Sequence, residues 1–149
     1  MASIIKTMQE WLNTCPFLDE FSGGHIDWTD NTALDYGIMP TGSAVIQTEE
    51  DVLGNRVVHK QYNLALYARG WTIDDVTRLE NTTFLEDLAD WVEEQQMAGE
   101  APKFGDNPDD EEITAQNGML YQLDPNGQTG LYQIQIAVFY EKHYERNDW

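Results

Sequence analysis

Cations are scarce in this chain. Among 149 residues there are 8 Lys plus Arg against 27 Asp plus Glu, a formal net charge of −19. Such a chain repels phosphate backbones, because it lacks the cations that would displace counterions from them, and adhesive nucleic-acid binding is excluded on that ground. Cysteine is nearly missing too. Cys15 alone has no intramolecular disulfide partner, and no Cys/His cluster has structural-zinc spacing. No window approaches the run of about 18–20 apolar residues that a membrane helix needs. Met1 to Lys6 carries no basic stretch followed by an apolar core, so a signal peptide is not expected. What is plentiful is apolar and aromatic mass: 41% hydrophobic residues, with five Trp, seven Tyr and five Phe. That is too much for a disordered acidic tail, and the length suits one folded domain. The expectation is a soluble, non-secreted, acidic single domain over 1–149.

Ile4, Ile5, Met8, Trp11 and Leu12 recur at helical spacing. With Ser3 as cap and Pro16 beyond the end, they predict an amphipathic helix over 3–14. Its apolar side either covers a sheet or docks on another protein. Cys15 reads as a small buried filler rather than a nucleophile, since no His or Asp follows it at a motif spacing. Residues 21–43 are rich in Gly, Asp, Asn and Thr, with one β-like stretch from His25 to Thr29. A strand over Ser43 to Thr48 then leads through a polar loop, Glu49 to Asn55, into a long strand from Arg56 to Arg69. There Val58, Tyr62, Leu64, Leu66 and Ala68 form one apolar row, and Gly54-Asn55 supplies the turn. A strand of that length can project beyond the body of the domain.

Thr72 opens a helical region with Asp74 and Asp75 in its first turn. Asn81-Thr82-Thr83 predicts a break, and Thr83 with Glu86 makes a T-x-x-E capping box that restarts a second helix. Phe84, Leu85, Leu88, Trp91 and Val92 form its stripe, Gly99 ends it and Pro102 blocks continuation. Glu86, Asp87, Asp90, Glu93 and Glu94 occupy the outer face. The stretch KFGDNPDDEE, 103–112, reads as a mobile acidic loop. A closing hairpin follows: Ile113 to Leu123, a turn at Asp124-Pro125-Asn126-Gly127, then Gly130 to Tyr144. Tyr132, Ile134, Ile136, Val138 and Tyr140 point to one side, and Gln133, Gln135, Ala137 and Phe139 to the other. The fold class expected is α+β: a mostly antiparallel sheet with long hairpins and helices packed on one face.

Catalytic templates fail. There is no phosphate loop, dinucleotide fingerprint, H-E-x-x-H or nucleophile elbow, and only three histidines exist, His25, His59 and His143. His25 and Asp27 share a face, but two ligands do not make a metal site. Counted from Asp106, a calcium loop meets Pro108, Glu111 and Asn117 where an oxygen donor, glycine and glutamate are required. The chain is therefore expected not to be an enzyme and to bind no cofactor or metal.

The opening S-I-I-K-T-M-Q-E-W-L-N-T-C-P-F-L-D, the block F-L-E-D-L-A-D-W-V-E-E-Q-Q-M-A-G with the following A-P-K-F-G-D, and the closing L-Y-Q-I-Q-I-A-V-F-Y-E lie in order along the chain. In these blocks the sequence resembles a family of small phage proteins of Firmicutes, the "minor capsid" proteins that are similar to tail-terminator or tail-completion proteins. The agreement is weakest over 21–55.

The resemblance implies a homo-oligomeric ring, typically hexameric, on the head-proximal end of a tail tube. Such a ring stops polymerisation and meets the tube protein, a head-completion or connector protein and, in contractile tails, the sheath. The place implied is the neck of a virion or a tail-like particle assembled in a bacterial host. Residues 86–112 hold eleven acids and one base, Lys103, a distribution that would let DNA slide through a lumen without specific binding. Three regions are then interface candidates: the hairpin tip (Glu49, Glu50, Asp51, Val52, Leu53, Asn55, Arg56), the acidic loop (Asp106, Asp109, Asp110, Glu111) and the last turn (Asp124, Asn126). Two other classes stay open. One is a standalone acidic binding module, a DNA mimic or an inhibitor of a nucleic-acid enzyme. The other is a small hydrolase or transferase in which one of the three histidines meets a carboxylate.

Overall fold

The computed structural model describes residues 3–18, 22–26, 35–125 and 127–146. Helix α1 covers Ile4–Leu12, and the strands are β1 (Ser22–Ile26), β2 (Asp35–Glu50) and β3 (Arg56–Trp71). Helix α2 (Asp75–Met97), β4 (Glu112–Leu123) and β5 (Thr129–Tyr144) follow. The sheet order is β1-β2-β3-β5-β4. All neighbours are antiparallel except β1, which runs parallel to the start of β2. The α+β class with helices on one face is as the sequence predicts.

Two sixteen-residue strands form the axis. β3 and β5 pair without a register shift from Arg56↔Tyr144 to Trp71↔Thr129. Because side chains alternate across a strand, that unbroken register fixes two faces. On one, Leu64, Leu66 and Ala68 meet Ile136, Ile134 and Tyr132, with Ile38 and Tyr36 of β2 and Ile113 of β4 alongside. The buried stripes of both helices close this face: Met8, Trp11 and Leu12 from α1, and Leu85, Leu88, Trp91 and Val92 from α2. Trp11 stacks on Trp91 at 4.9 Å between centroids, and its indole N–H donates to Gln95 at 3.1 Å, so the helices are joined to each other as well as to the sheet. Cys15 is fully buried among these residues, as a filler should be. The opposite face carries the amides of Gln61, Asn63, Gln133 and Gln135 with Tyr67 and Ala65.

Three expectations need correction. Residues 72–97 do not form two helices: α2 runs through Asn81-Thr82-Thr83 unbroken, and its capping box is made by Asp74 and Thr77, not by Thr83 and Glu86. Tertiary contacts override the poor local propensity. The Asn81 side-chain amide donates to the Trp71 carbonyl at 2.7 Å, and it lies so close to Gly70 that a Cβ there would fall 2.4 Å from its oxygen. Second, β2 begins at Asp35 rather than Ser43. It absorbs Pro40 and Gly42 (φ +126°) at a register shift, where an edge strand tolerates both. Third, the β-like stretch near His25 starts earlier than expected, with Ser22 already in β1; residues 27–34, and so the expected end at Thr29, lie outside the described residues. Ser3 caps α1, accepting from the Lys6 amide at 3.1 Å, and Gly99 takes a positive φ after α2, both as the sequence predicts.

The relocated cap is testable by thermal or denaturant unfolding. Asp74→Ala should lower stability by about 1 kcal/mol. Thr83→Ala, in mid-helix on an exposed position, should raise it by about 0.5 kcal/mol. A loss at Thr83 comparable to that at Asp74 would restore the two-helix reading.

Candidate functional site

The interface candidates gather at two ends of the sheet. At one end, Asp51 organises the β2–β3 turn: its carboxylate accepts from the backbone N–H groups of Leu53 at 2.8 Å and Asn55 at 3.0 Å, and from the Asn55 side chain at 3.1 Å. Burial pushes its carboxyl up, and these hydrogen bonds with that of Gly54 outweigh it, leaving the group below its ordinary value. The tip is braced against the segment that follows β5, since the Asn55 side chain accepts from the Arg146 amide at 3.0 Å. Glu49 faces His59 at 3.6 Å and Arg56 faces Glu50 at 3.8 Å, while Val52 and Leu53 are exposed at the apex.

The acidic loop reaches the same end but is not free. Glu111 turns inward and accepts from the amides of Phe104 at 2.6 Å and Gly105 at 3.1 Å. Asp106 donates its amide to the Glu141 carbonyl at 2.9 Å and accepts from the His143 amide at 2.7 Å. A Cβ on Gly105 would meet the Glu141 carbonyl oxygen at 2.1 Å, so glycine lets the loop lie against β5. The expected mobile loop is a strapped one, with Asp109 and Asp110 on a short exposed 3-10 turn at its crest. Composition showed the acids and gave no sign that two of them serve as acceptors for local amides.

At the far end, Asp124 is structural. Its carboxylate takes both oxygens to Arg69 Nη1, one at 2.6 Å, and also accepts from the Thr129 hydroxyl. The Arg69 hydrogen bond holds the Asp124 carboxyl below its ordinary value, against burial, with Thr129 adding to it. Asn126 lies outside the described residues.

Catalytic geometry is thin. His59 lies 3.7 Å from Glu141 and 3.6 Å from Glu49, and His143 lies 4.0 Å from Glu141, beyond hydrogen-bond range in each case. Among the described residues, no three His, Cys, Asp or Glu side chains are placed to hold a metal ion. Asp27 and the side chain of His25 lie outside the described residues. No helix among the described residues is long and apolar enough to cross a membrane. Two concavities stand out: one of about 300 Å³ on the amide face, lined by Gln61, Asn63, Gln116 and Gln135, and one of about 460 Å³ beside the first turns of α2, lined by Phe17, Trp71, Leu79 and Phe84.

Surfaces that the residue pattern did not single out are more suggestive of contact. Trp71, Ile73, Val76 and Leu79 are exposed together where α2 begins. Along β2, every residue from Pro40 to Glu50 is exposed, and along β4, every residue from Gln116 to Leu123. The signal was present in the sequence as two stretches without a charge, Tyr36–Thr48 and Ile113–Leu123. Only the strand order reveals that one falls on the outer strand β4 and the other on β2, which β1 pairs only through Asp35 to Ile38. No known family model matches the chain, and no curated protein matches it either.

Two outcomes follow from the carboxylates. Asp124→Ala should destabilise the fold by about 3 kcal/mol, because it removes a carboxylate whose two oxygens both bind a buried guanidinium. In the unmodified chain the Asp124 contribution is complete above the ordinary Asp range and fades as pH falls through the lowered native value. Denaturation midpoints from pH 7 down to pH 2 should therefore converge for the two proteins at the acid end. Asp51→Ala should leave global stability nearly intact but speed amide exchange at Leu53 and Asn55, which hydrogen exchange reads directly; unchanged protection there would refute the role given to Asp51.

Proposed function

We propose that this chain is a structural ring protein that ends a phage-type tail tube and joins it to head-completion or connector proteins. The observation that carries the reading is the long β2–β3 hairpin, with exposed, uncharged strand surface where a neighbouring subunit could pack. The sequence resemblance across the opening, α2 and β5 points the same way. Partners in this reading are further copies of the chain, the tube protein, a head-completion protein and, where the tail contracts, the sheath. Glu86, Asp90, Glu93 and Glu94 are exposed along α2, and on a lumen wall they would keep DNA moving without specific binding. The same exposed acids favour the second reading, a standalone acidic module that competes with DNA for a basic partner.

Light scattering after size exclusion, with and without purified tail tubes, separates the two. The ring reading expects a ring-sized species, alone or only when tubes are added. A strict monomer that ignores tubes and displaces DNA from a basic protein would overturn it in favour of the acidic module.

A further inference from the structure

β4 and the part of β2 beyond its pairing with β1 differ from the rest of the surface in one respect, which is charge. Asp, Glu, Lys and Arg make up 23% of the chain, yet Tyr36–Thr48 and Ile113–Leu123 contain none. β1 pairs with β2 only through Asp35 to Ile38, and among the described residues nothing pairs with the outer side of β2 from Met39 to Glu50. On β4 the backbone is held at the second residue: the Gln96 side chain accepts from the Ile113 amide at 2.8 Å and donates to its carbonyl. Exposed apolar side chains mark both edges, Val45 and Ile46 on β2, and Met119, Leu120, Tyr121 and Leu123 on β4.

Open edges are ordinarily protected by charge, lysine above all, because unpaired backbone groups recruit another strand. Here a chain of net charge −19 leaves its open edges neutral from Met39 to Thr48 on β2 and from Ile113 to Leu123 on β4. Self-association of so acidic a protein is opposed wherever like charges approach, so neutral backbone edges are the surfaces on which one copy can meet another. We infer that the free edge of β2 in one copy pairs with the free edge of β4 in the next, continuing the sheet from subunit to subunit. The inference rests on the ring reading and names its interface.

The contact is heterologous, since each copy offers two different edges, and a heterologous contact closes into a ring or runs on as a filament. Register shifts lie within both edges, at Pro40/Gly42 and Val45/Gln47 on β2 and at Gln116/Met119 and Leu120/Gln122 on β4. Bulges of this kind increase local twist, which supplies the rotation between copies that closure requires.

The test blocks one edge at a time. Val45→Glu with Ile46→Glu closes the β2 edge, and Met119→Glu with Tyr121→Glu closes the β4 edge; Met97→Glu, exposed on α2, serves as control. Under the condition in which the unmodified chain assembles, each blocked variant alone should run as a monomer and the control as the full assembly. An equimolar mixture of the two blocked variants should run at twice the 17.1 kDa of one chain and no larger, because it retains one compatible pair of edges. Dimers of a single blocked variant, or full assembly by both, would overturn the inference while leaving the ring reading standing. A monomeric unmodified chain, with or without tubes, would overturn the ring reading and this inference together. Hydrogen exchange on the unmodified assembly does not depend on the variants folding: protection gained at 39–48 and 115–123 supports the pairing, and unchanged exchange at both edges refutes it.

Discussion

Everything in this fold hangs on the antiparallel pairing of β3 with β5. Sixteen consecutive pairs without a shift set which side chains go to the helices and which to the amide face. A slip of one residue would turn Leu64, Leu66, Ile134 and Ile136 away from the core and leave Trp91 and Leu88 of α2 with no partner surface. Each end of the pair is also fastened: Asp124 to Arg69 at one, and Asn55 to the Arg146 amide at the other. Charged groups with a structural task sit at these ends, whereas the middle of the pair is neutral.

Fixing the centre leaves the strands on either side of it, β2 and β4, as the adjustable part of the molecule. Register shifts occur in the pairings of β2 with β3 and of β4 with β5, but in the central pair there are none. Most of β2 and β4 is exposed, and their uncharged stretches contrast with the acids on α2. A rigid core with neutral edges and an acidic helical back is a shape suited to repetition in a ring, in which contact and charge occupy different sides. This separation links the proposed function to the proposed edge pairing.

Alternation and turn chemistry made the centre legible in the sequence. The apolar row of β5 is a local signal and describes the structure well, its residues Tyr132, Ile134, Ile136 and Val138 all being buried. What could not be read locally was decided by distant contacts. Asn81-Thr82-Thr83 looks like a break until Asn81 is seen to reach the Trp71 carbonyl. Pro40 and Gly42 look like a loop until the pairing of β1 with β2 is seen to stop at Ile38, before both of them. Likewise Glu111 and Asp124 are contact candidates by their place in a loop and in a turn, and the structure turns both to internal amides or to Arg69. Charge marks a residue as polar but not as available, and availability depends on which backbone donors the fold leaves nearby.

The proposed terminator role makes its most direct claim about length, since a ring that ends polymerisation determines where the tube stops. The decisive measurement is the tail-tube length distribution, by electron microscopy, in particles assembled with and without this chain. The account predicts a narrow distribution when the chain is present and a broad one with over-long tubes when it is absent. Tubes of the same length in both cases would contradict it.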